Sequence, residues 1–409
     1  MSAGDAVAQL IREERTRVLA TLIRVIGDID LAEDVAQDAA VRALETWPRD
    51  GVPANPRAWF LVTAKRRAID VVRREARRAG KEEAAMWGAD HANDAPLEPP
   101  GAVRDDLLRL VFTCCHPALS LEAQVALALR TLGGLSTAEV ARALLVPEAT
   151  MAKRLVRAKQ KIAQARIPYR VPPAADLPSR LSGVAATVYL IFNEGYAASG
   201  GADLTRVALT AEAIRLGRLL AELMPDEPTV LGLLALMLLQ DSRRDARLDA
   251  NGSPVLLPDQ DRARWNRAAI KEGAELVGRA LRRTPEHPDA YVVQASIAAC
   301  HALARTYEET NWDAVISWYD VLLSLNDTPV ARLNRAAAIA ERDGPQAGLE
   351  LVDAIAGLDR YPWWHAARGE LLRRLGRHDA ARIAYEQAIS LGMNEPQAEH
   401  LRRRLAELA

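Results

Sequence analysis

Apolar residues recur at intervals of three and four along most of the chain, the period of an α-helix with one buried face. Residues 6–25 place Val7, Leu10, Ile11, Val18, Leu22 and Val25 on one side. Residues 28–47 repeat the pattern with Leu31, Val35, Ala39 and Leu44, and Asp30 or its neighbour can cap them. Residues 55–78 repeat it with Leu61, Ala64, Ala68, Val71 and Val72, and Pro56 starts that helix. The stretch 79–103 loses the period and is rich in Ala, Gly, Pro and acids, so it reads as a linker. A second proline-rich boundary, RIPYRVPPAADLP, can neither continue a helix nor make a strand. Beyond it the helical period runs to the end, punctuated by Pro225, Pro228, Pro285, Pro288 and Pro329.

Residues 135–162, LSTAEVARALLVPEATMAKRLVRAKQKI, carry the sharpest local signal. Ser136 with Glu139 three residues on makes a capping box, and Val140, Ala141 and Leu144 follow as an apolar stripe. Leu145 and Val146 supply a turn. Pro147 suits the first position of a second helix, and Glu148 meets the positive end of its dipole. That helix carries Thr150, Lys153, Arg154, Arg157, Lys159 and Lys161, while Met151, Leu155 and Ile162 face a core. A short capped helix followed by a basic one lays a recognition helix in the DNA major groove. The competing reading is a helical hairpin with a solvated basic face.

Charge sharpens the picture because it is segregated. The net charge is −1 over 409 residues, so no global field draws the chain to nucleic acid. The helix at 28–47 shows Glu33, Asp34, Gln37 and Asp38 on its polar face, which suits either solvent or a basic partner. The next helix exposes Arg57, Lys65, Arg66, Arg67, Arg73, Arg74, Arg77 and Arg78, with Trp59 and Phe60 at its front. Cations for phosphate beside ring faces for unstacked bases are what single-stranded DNA binding needs. The other reading makes Trp59 and Phe60 core aromatics. Few aromatics, at 5%, and many Ala, Leu, Arg and Glu favour an all-α protein.

EVARALLVPEATMAKRLVRAK resembles the helix-turn-helix, region four, that reads promoters in the extracytoplasmic-function sigma factors of bacterial RNA polymerase. The match runs through Glu139, Ala141, Leu144, Thr150, Arg154, Arg157 and Ala158. It departs at Leu145, where the family usually has a turn glycine; a left-handed leucine costs roughly 1 kcal/mol. LAEDVAQDAAVRALETW and PRAWF…AKRRAIDVVRR resemble region two of the same family. The resemblance implies that Asp34, Gln37 and Asp38 face polymerase. It also implies that Trp59, Phe60, Lys65, Arg66, Arg67, Arg73 and Arg74 melt and hold the minus-ten element. Arg66 stands where the family commonly has asparagine, which alters the base edge it can read. Glu148, Thr150, Lys153, Arg154 and Arg157 would contact the minus-thirty-five element.

The last helical stretch, from Trp363, resembles the tetratricopeptide pattern at Gly369, Gly376, Ala381, Tyr385 and Ala388, with looser units at 289–325 and 329–358. VYLIFNEGYAAS and the Asp- and Arg-rich loop 240–265 resemble a sigma-factor subgroup with such a C-terminal extension, thought there to replace a separate anti-sigma factor. Asn193, Glu194, Gly195 and Tyr196 are therefore a candidate regulatory segment, with Gly195 expected to supply a left-handed turn. The loop lacks calcium-loop spacing and is expected to fold over the solenoid or to meet a partner.

The expected architecture is all-α: two small helical DNA- and polymerase-binding domains (1–78 and 104–166) joined by a linker (79–103), a proline-rich linker (167–178), and an α-solenoid at 179–409. The expected partners are core RNA polymerase, promoter DNA and a regulatory protein or peptide at the solenoid, with the free protein monomeric and cytoplasmic. No membrane contact or cofactor is expected, since Val230 to Leu239, the most apolar run, is too short to span a bilayer. Adjacent Cys114 and Cys115 beside His116 are poorly placed to chelate one ion, so buried thiols are expected and no metal. No nucleophile–base pair or phosphate loop marks an enzyme. The alternative reading is a conventional helix-turn-helix regulator whose repeat domain senses a ligand or peptide.

Overall fold

The computed structural model describes residues 16–79, 102–144, 146–165, 167–173, 175–196, 207–249, 253–393 and 395–408. The expected linker 79–103, the turn residue Leu145 and the apolar positions Val7 to Ile11 thus lie outside the described residues, apart from the ends of the flanking helices. The chain divides into two compact units, 1–187 and 188–409. That boundary falls inside a helix, some residues beyond the expected edge at 178. No described helix is long and apolar enough to cross a membrane.

In the first unit, α1 (residues 16–26) precedes α2 (Ile29–Asp50) and α3 (Pro56–Ala79). Asp28, not Asp30, caps α2, its carboxylate accepting from the Leu31 N–H at 2.8 Å. α2 buries Ile29, Ala32, Val35, Ala39, Ala43 and Trp47. The expected seam through Leu31 and Leu44 is therefore rotated, and Leu44 stays 49% exposed. Small alanines on the inner face let α3 approach closely, and α3 answers with Phe60, Leu61, Ala64, Ala68 and Ile69. Gly51, at φ 83°, ends α2 with a conformation that glycine adopts at little cost.

The rest of that unit is α4 (Ala102–Cys114), α5 (Leu121–Thr131), α6 (Thr137–Ala143), α7 (Glu148–Gln164) and the first part of α8 (Leu177–Tyr196). α7 packs on both α5 and α6.

The second unit continues α8 and adds α9 (Val207–Leu223), α10 (Pro228–Asp241), α11 (Arg267–Arg283), α12 (Ala290–Leu303), α13 (Trp312–Leu325), α14 (Pro329–Asp343), α15 (Pro345–Asp353), α16 (Pro362–Arg374), α17 (His378–Ser390) and α18 (Glu395–Ala406). From α9 onward each helix packs on the next, the pattern of stacked hairpins. α10 is the central strut: every residue from Val230 to Leu239 is buried, against α9, α11 and α12. Prolines open α10, α14, α15 and α16, where the missing N–H has no intrahelical partner to lose.

In the hairpin of α16 and α17, Gly369 and Tyr385 of the expected tetratricopeptide pattern meet. A Cβ on Gly369 would lie 2.7 Å from the Tyr385 ring. Tyr385 is itself buried, and its hydroxyl donates to Glu370 at 2.9 Å. Gly369→Ala is expected to lower stability by about 1–3 kcal/mol through overpacking. Gly278→Ala, where a Cβ meets only the movable Arg282 guanidinium at 3.3 Å, should be neutral or slightly stabilising. Thermal unfolding of the two variants against the parent checks both signs.

Candidate nucleic-acid interface

The helix pair α6–α7 forms as its sequence dictates. The Ser136 hydroxyl accepts from the Glu139 N–H at 3.2 Å, and the Ser136 N–H donates to the Glu139 carboxylate at 2.7 Å. Those bonds hold the Glu139 carboxyl below its ordinary range. Pro147 sits one position earlier than expected, as the cap itself, with extended ψ of 138°. Its carbonyl accepts from Thr150 and Met151 and so starts α7.

α7 then divides into faces. Met151, Leu155, Ala158 and Ile162 are buried. Glu148, Thr150, Lys153 and Arg157 are exposed. Arg154 is half-buried, its Nη2 3.2 Å from Glu122 at the start of α5. Lys153, Arg154, Arg157 and Lys161 line a groove of about 510 Å³ against residues 118–123, with Glu122 its one acid. This concentrates positive charge along one edge of a nearly neutral chain, which suits phosphate and base contacts together.

Lys159 does not share that edge. Its Nζ lies 2.6 Å from Asp30 and 2.8 Å from Glu33, both on α2. Burial alone pulls the ammonium's pKa down, but the two carboxylate bonds outweigh it and leave the value raised. Arg130 approaches the same Glu33 at 3.8 Å. The basic helix is thus tied to the acidic helix through Lys159, a cation that the sequence places beside the DNA-contacting residues without assigning it a contact.

On α2, Asp34, Gln37 and Asp38 are exposed as expected, and Val41 and Leu44 continue their face at 50% and 49% exposure. Acids beside uncovered apolar side chains make a docking face better than acids alone. On α3, Arg66 and Arg74 are exposed, and Lys65, Arg67 and Arg73 are half-buried. Arg67 is held by Asp38, Nε to Oδ2 at 2.6 Å. The aromatics correct the expectation. Phe60 is 4% exposed and belongs to the core, and Trp59 packs edge-on against Trp47 with ring centroids 5.4 Å apart. Apolar burial against α2 outweighs display to solvent for Phe60, so it is not presented to DNA in this conformation. The side chains of Arg77 and Arg78 lie outside the described residues.

Sequence reasoning missed a second tie. Asp106 on α4 is fully buried, and its carboxylate accepts from Arg24 of α1 and from Arg109, each at 2.8 Å. The Tyr169 hydroxyl lies 2.9 Å from the carbonyls of both Ala20 and Asp106. Nothing local marks Asp106, since its partners stand far off in sequence. Nearby, Cys114 and Cys115 are buried free thiols, as expected. Burial pushes Cys114 well up and Cys115 up to about 12, so neither is a thiolate. Among the described residues no group of three or more His, Cys, Asp or Glu could hold a metal ion.

In the second unit the two distinctive strings meet. Arg247 lies 3.7 Å from the centroid of the Tyr196 ring and donates to the Tyr196 carbonyl at 2.5 Å. Arg243 donates to the Tyr196 hydroxyl at 2.6 Å. Gly195 is helical, not left-handed; its role is close approach, since a Cβ there would lie 2.5 Å from the Thr210 backbone N on α9. The loop after α10 folds inward as expected; Arg244 pairs with Asp241, while Arg247 and Arg262 serve carbonyls. Arg262 donates to the carbonyls of His301 and Ala304, closing the end of α12.

Residues 10–78 match the family model for sigma-70 region 2, residues 109–162 that for sigma-70 region 4, and residues 180–281 a family of unknown function, DUF6596. An uncharacterised protein of Rhizobium meliloti is 44% identical over 97% of this chain and 94% of its own length. The ECF RNA polymerase sigma factor SigK of Mycobacterium ulcerans is 32% identical over 37% of this chain and 80% of its own. The probable ECF RNA polymerase sigma factor SigI of Mycobacterium tuberculosis is 28% identical over 42% of this chain and 60% of its own. With both sigma regions matched on the helices that carry the segregated charge, the chain belongs to the extracytoplasmic-function sigma factors of RNA polymerase and carries a C-terminal extension.

Proposed function

We propose that this sigma factor exists in a closed form in which its promoter-reading and polymerase-docking helices are tied together, and that polymerase binding separates them. A sigma factor directs transcription initiation from promoter DNA with core polymerase. The observation that carries the finer reading is Lys159 of α7 bonded to Asp30 and Glu33 of α2. The minus-thirty-five and minus-ten elements lie about twenty-five base pairs apart, roughly 85 Å of duplex at ~3.4 Å per pair. A unit whose recognition helix touches the docking helix cannot span that distance. Opening therefore has to break the Lys159 pairs and the Arg24–Asp106 pair.

In the open form, Asp34, Gln37 and Asp38, with Val41 and Leu44 beside them, dock on polymerase. Lys65, Arg66, Arg67, Arg73 and Arg74 follow the melted minus-ten strand, and Trp59 reaches a base only if it leaves Trp47. Thr150, Lys153, Arg154 and Arg157 read the minus-thirty-five element, with Glu148 at the helix start. The second unit, with Asn193 to Tyr196 buttressed by Arg243 and Arg247, regulates the first by binding a protein or peptide, and the free protein is a monomer. The paired cations and acids of the first unit favour this over a conventional duplex-binding regulator, which needs no acidic docking face.

Two outcomes are expected. Arg154→Ala should cost about 1–3 kcal/mol of promoter discrimination if the guanidinium reads a base. Run-off transcription with purified core polymerase on cognate and altered minus-thirty-five templates measures it; equal activity on both would sink the assignment. Lys159→Ala should loosen the closed form by about 1–2 kcal/mol, since it leaves Glu33 without its nearest cation. Energy transfer between dyes at Arg42→Cys and Arg157→Cys should fall in that variant, and fall in the parent at high salt, whereas Lys161→Ala should leave it unchanged.

A further inference from the structure

The second unit holds a cavity of about 460 Å³ between α10, α12, α13 and α14, a volume typical of small-molecule sites. Leu236, Leu239, Ile297 and Leu322 supply apolar wall. Tyr189, Gln240, Gln294, Asn326 and Asn334 supply polar groups around it. The sequence balances 54 acids against 53 cations, yet no Asp or Glu lines this cavity and one Arg does.

Two of the lining groups are unsatisfied. Trp265 is 3% exposed, and its indole N–H has no hydrogen-bond partner among the described residues. His301 Nδ1 is likewise buried without one. A buried donor left unpaired costs about 1–3 kcal/mol, so such groups call for an explanation, and a bound acceptor is one. Arg243 bonds the Tyr196 hydroxyl, and no ion pair to a carboxylate satisfies its charge among the described residues. Both Arg243 and Arg262 place positive charge near His301. Burial first, then Arg243 and Arg262, pushes the pKa of His301 down to about 4, so the imidazole is neutral at ordinary pH. Arg262 stacks over Trp265 at 4.5 Å and keeps one buried Nη2 unpartnered.

We infer that this cavity binds an organic carboxylate, its oxygens toward Arg243 and the Trp265 N–H and its apolar body along Leu236, Leu239 and Ile297. The inference concerns the second unit alone and stands whether or not the first unit opens as described above. A free small acid and the carboxyl end of a peptide share this chemistry, and the cavity's size fits either a whole small acid or one terminal residue.

The test uses the full chain and isothermal titration calorimetry with four probes: phenylacetate, phenylacetamide, the tripeptide Leu-Leu-Phe with a free carboxyl end, and its amide. At least one acid should bind with Kd below roughly 1 mM, and its amide should bind at least tenfold more weakly. Tighter binding by the tripeptide acid identifies a chain terminus as the ligand, and tighter binding by phenylacetate a free acid. Arg243→Gln should abolish the preference for the acid. Because that change also removes the bond to Tyr196, Ala298→Leu provides a second arm: it narrows the cavity from α12 and should remove binding while circular dichroism stays that of the parent. Acid and amide binding equally, no binding by either acid at 10-fold that concentration, or acid binding unaffected by both variants would each overturn the inference.

Discussion

Charge taken out of water must be paired, and in the first unit that requirement decides which surfaces are available. Asp106 is buried, so Arg24 and Arg109 must reach it. Glu33 is nearly so, and Lys159 with Arg130 answers it. Buried pairs of this kind contribute little net stability against apolar packing, but removing one partner is costly. They suit a joint that has to hold one arrangement and then release it to a competitor. A hydrophobic seam of the same extent would bind more indiscriminately and would expose apolar surface on opening.

This logic explains how far the sequence could be read. The α6–α7 pair was legible because every signal in it is local: the Ser136–Glu139 box, the proline that starts α7, and the alternating four- and three-residue spacing of Met151, Leu155, Ala158 and Ile162. The tetratricopeptide hairpin was legible for the same reason, since Gly369 and Tyr385 encode a contact between adjacent helices. What periodicity could not settle was which polar or aromatic side chain finds a distant partner. Lys159 looks like its basic neighbours until α2 supplies two carboxylates. Phe60 and Leu44 both sit near an apolar seam, and only the close fit of alanine-faced α2 on α3 buries one and leaves the other out. Gly195 ends an apolar run as a capping glycine would, but its freedom goes to a neighbouring helix, not to a turn.

The second unit uses arginine differently. In the loop after α10, Arg247 and Arg262 lie over aromatic faces and close helix ends through carbonyls, a use the planar guanidinium allows and an ammonium does not. The charge-rich composition of that loop therefore reports internal architecture as much as surface. Arg244 pairs with Asp241 instead, and Arg243, beside the Tyr196 ring, lines the cavity under α12.

The division of the chain inside α8 bears on how the protein can be cut. Tyr169, Arg180 and Thr187 all lie past the recognition helix, yet they serve the first unit: Tyr169 reaches Ala20 and Asp106, Arg180 donates to the Phe112 carbonyl at 2.6 Å, and Thr187 bonds Gln124 at 3.1 Å. A fragment stopped before Tyr169 would deprive those carbonyls and the Gln124 Oε1 of these donors, while Gln124 Nε2 would keep its bonds to the His116 and Leu119 carbonyls. Its behaviour would mix the loss of the extension with damage to the promoter-reading half, so a faithful excision has to keep the chain through Thr187.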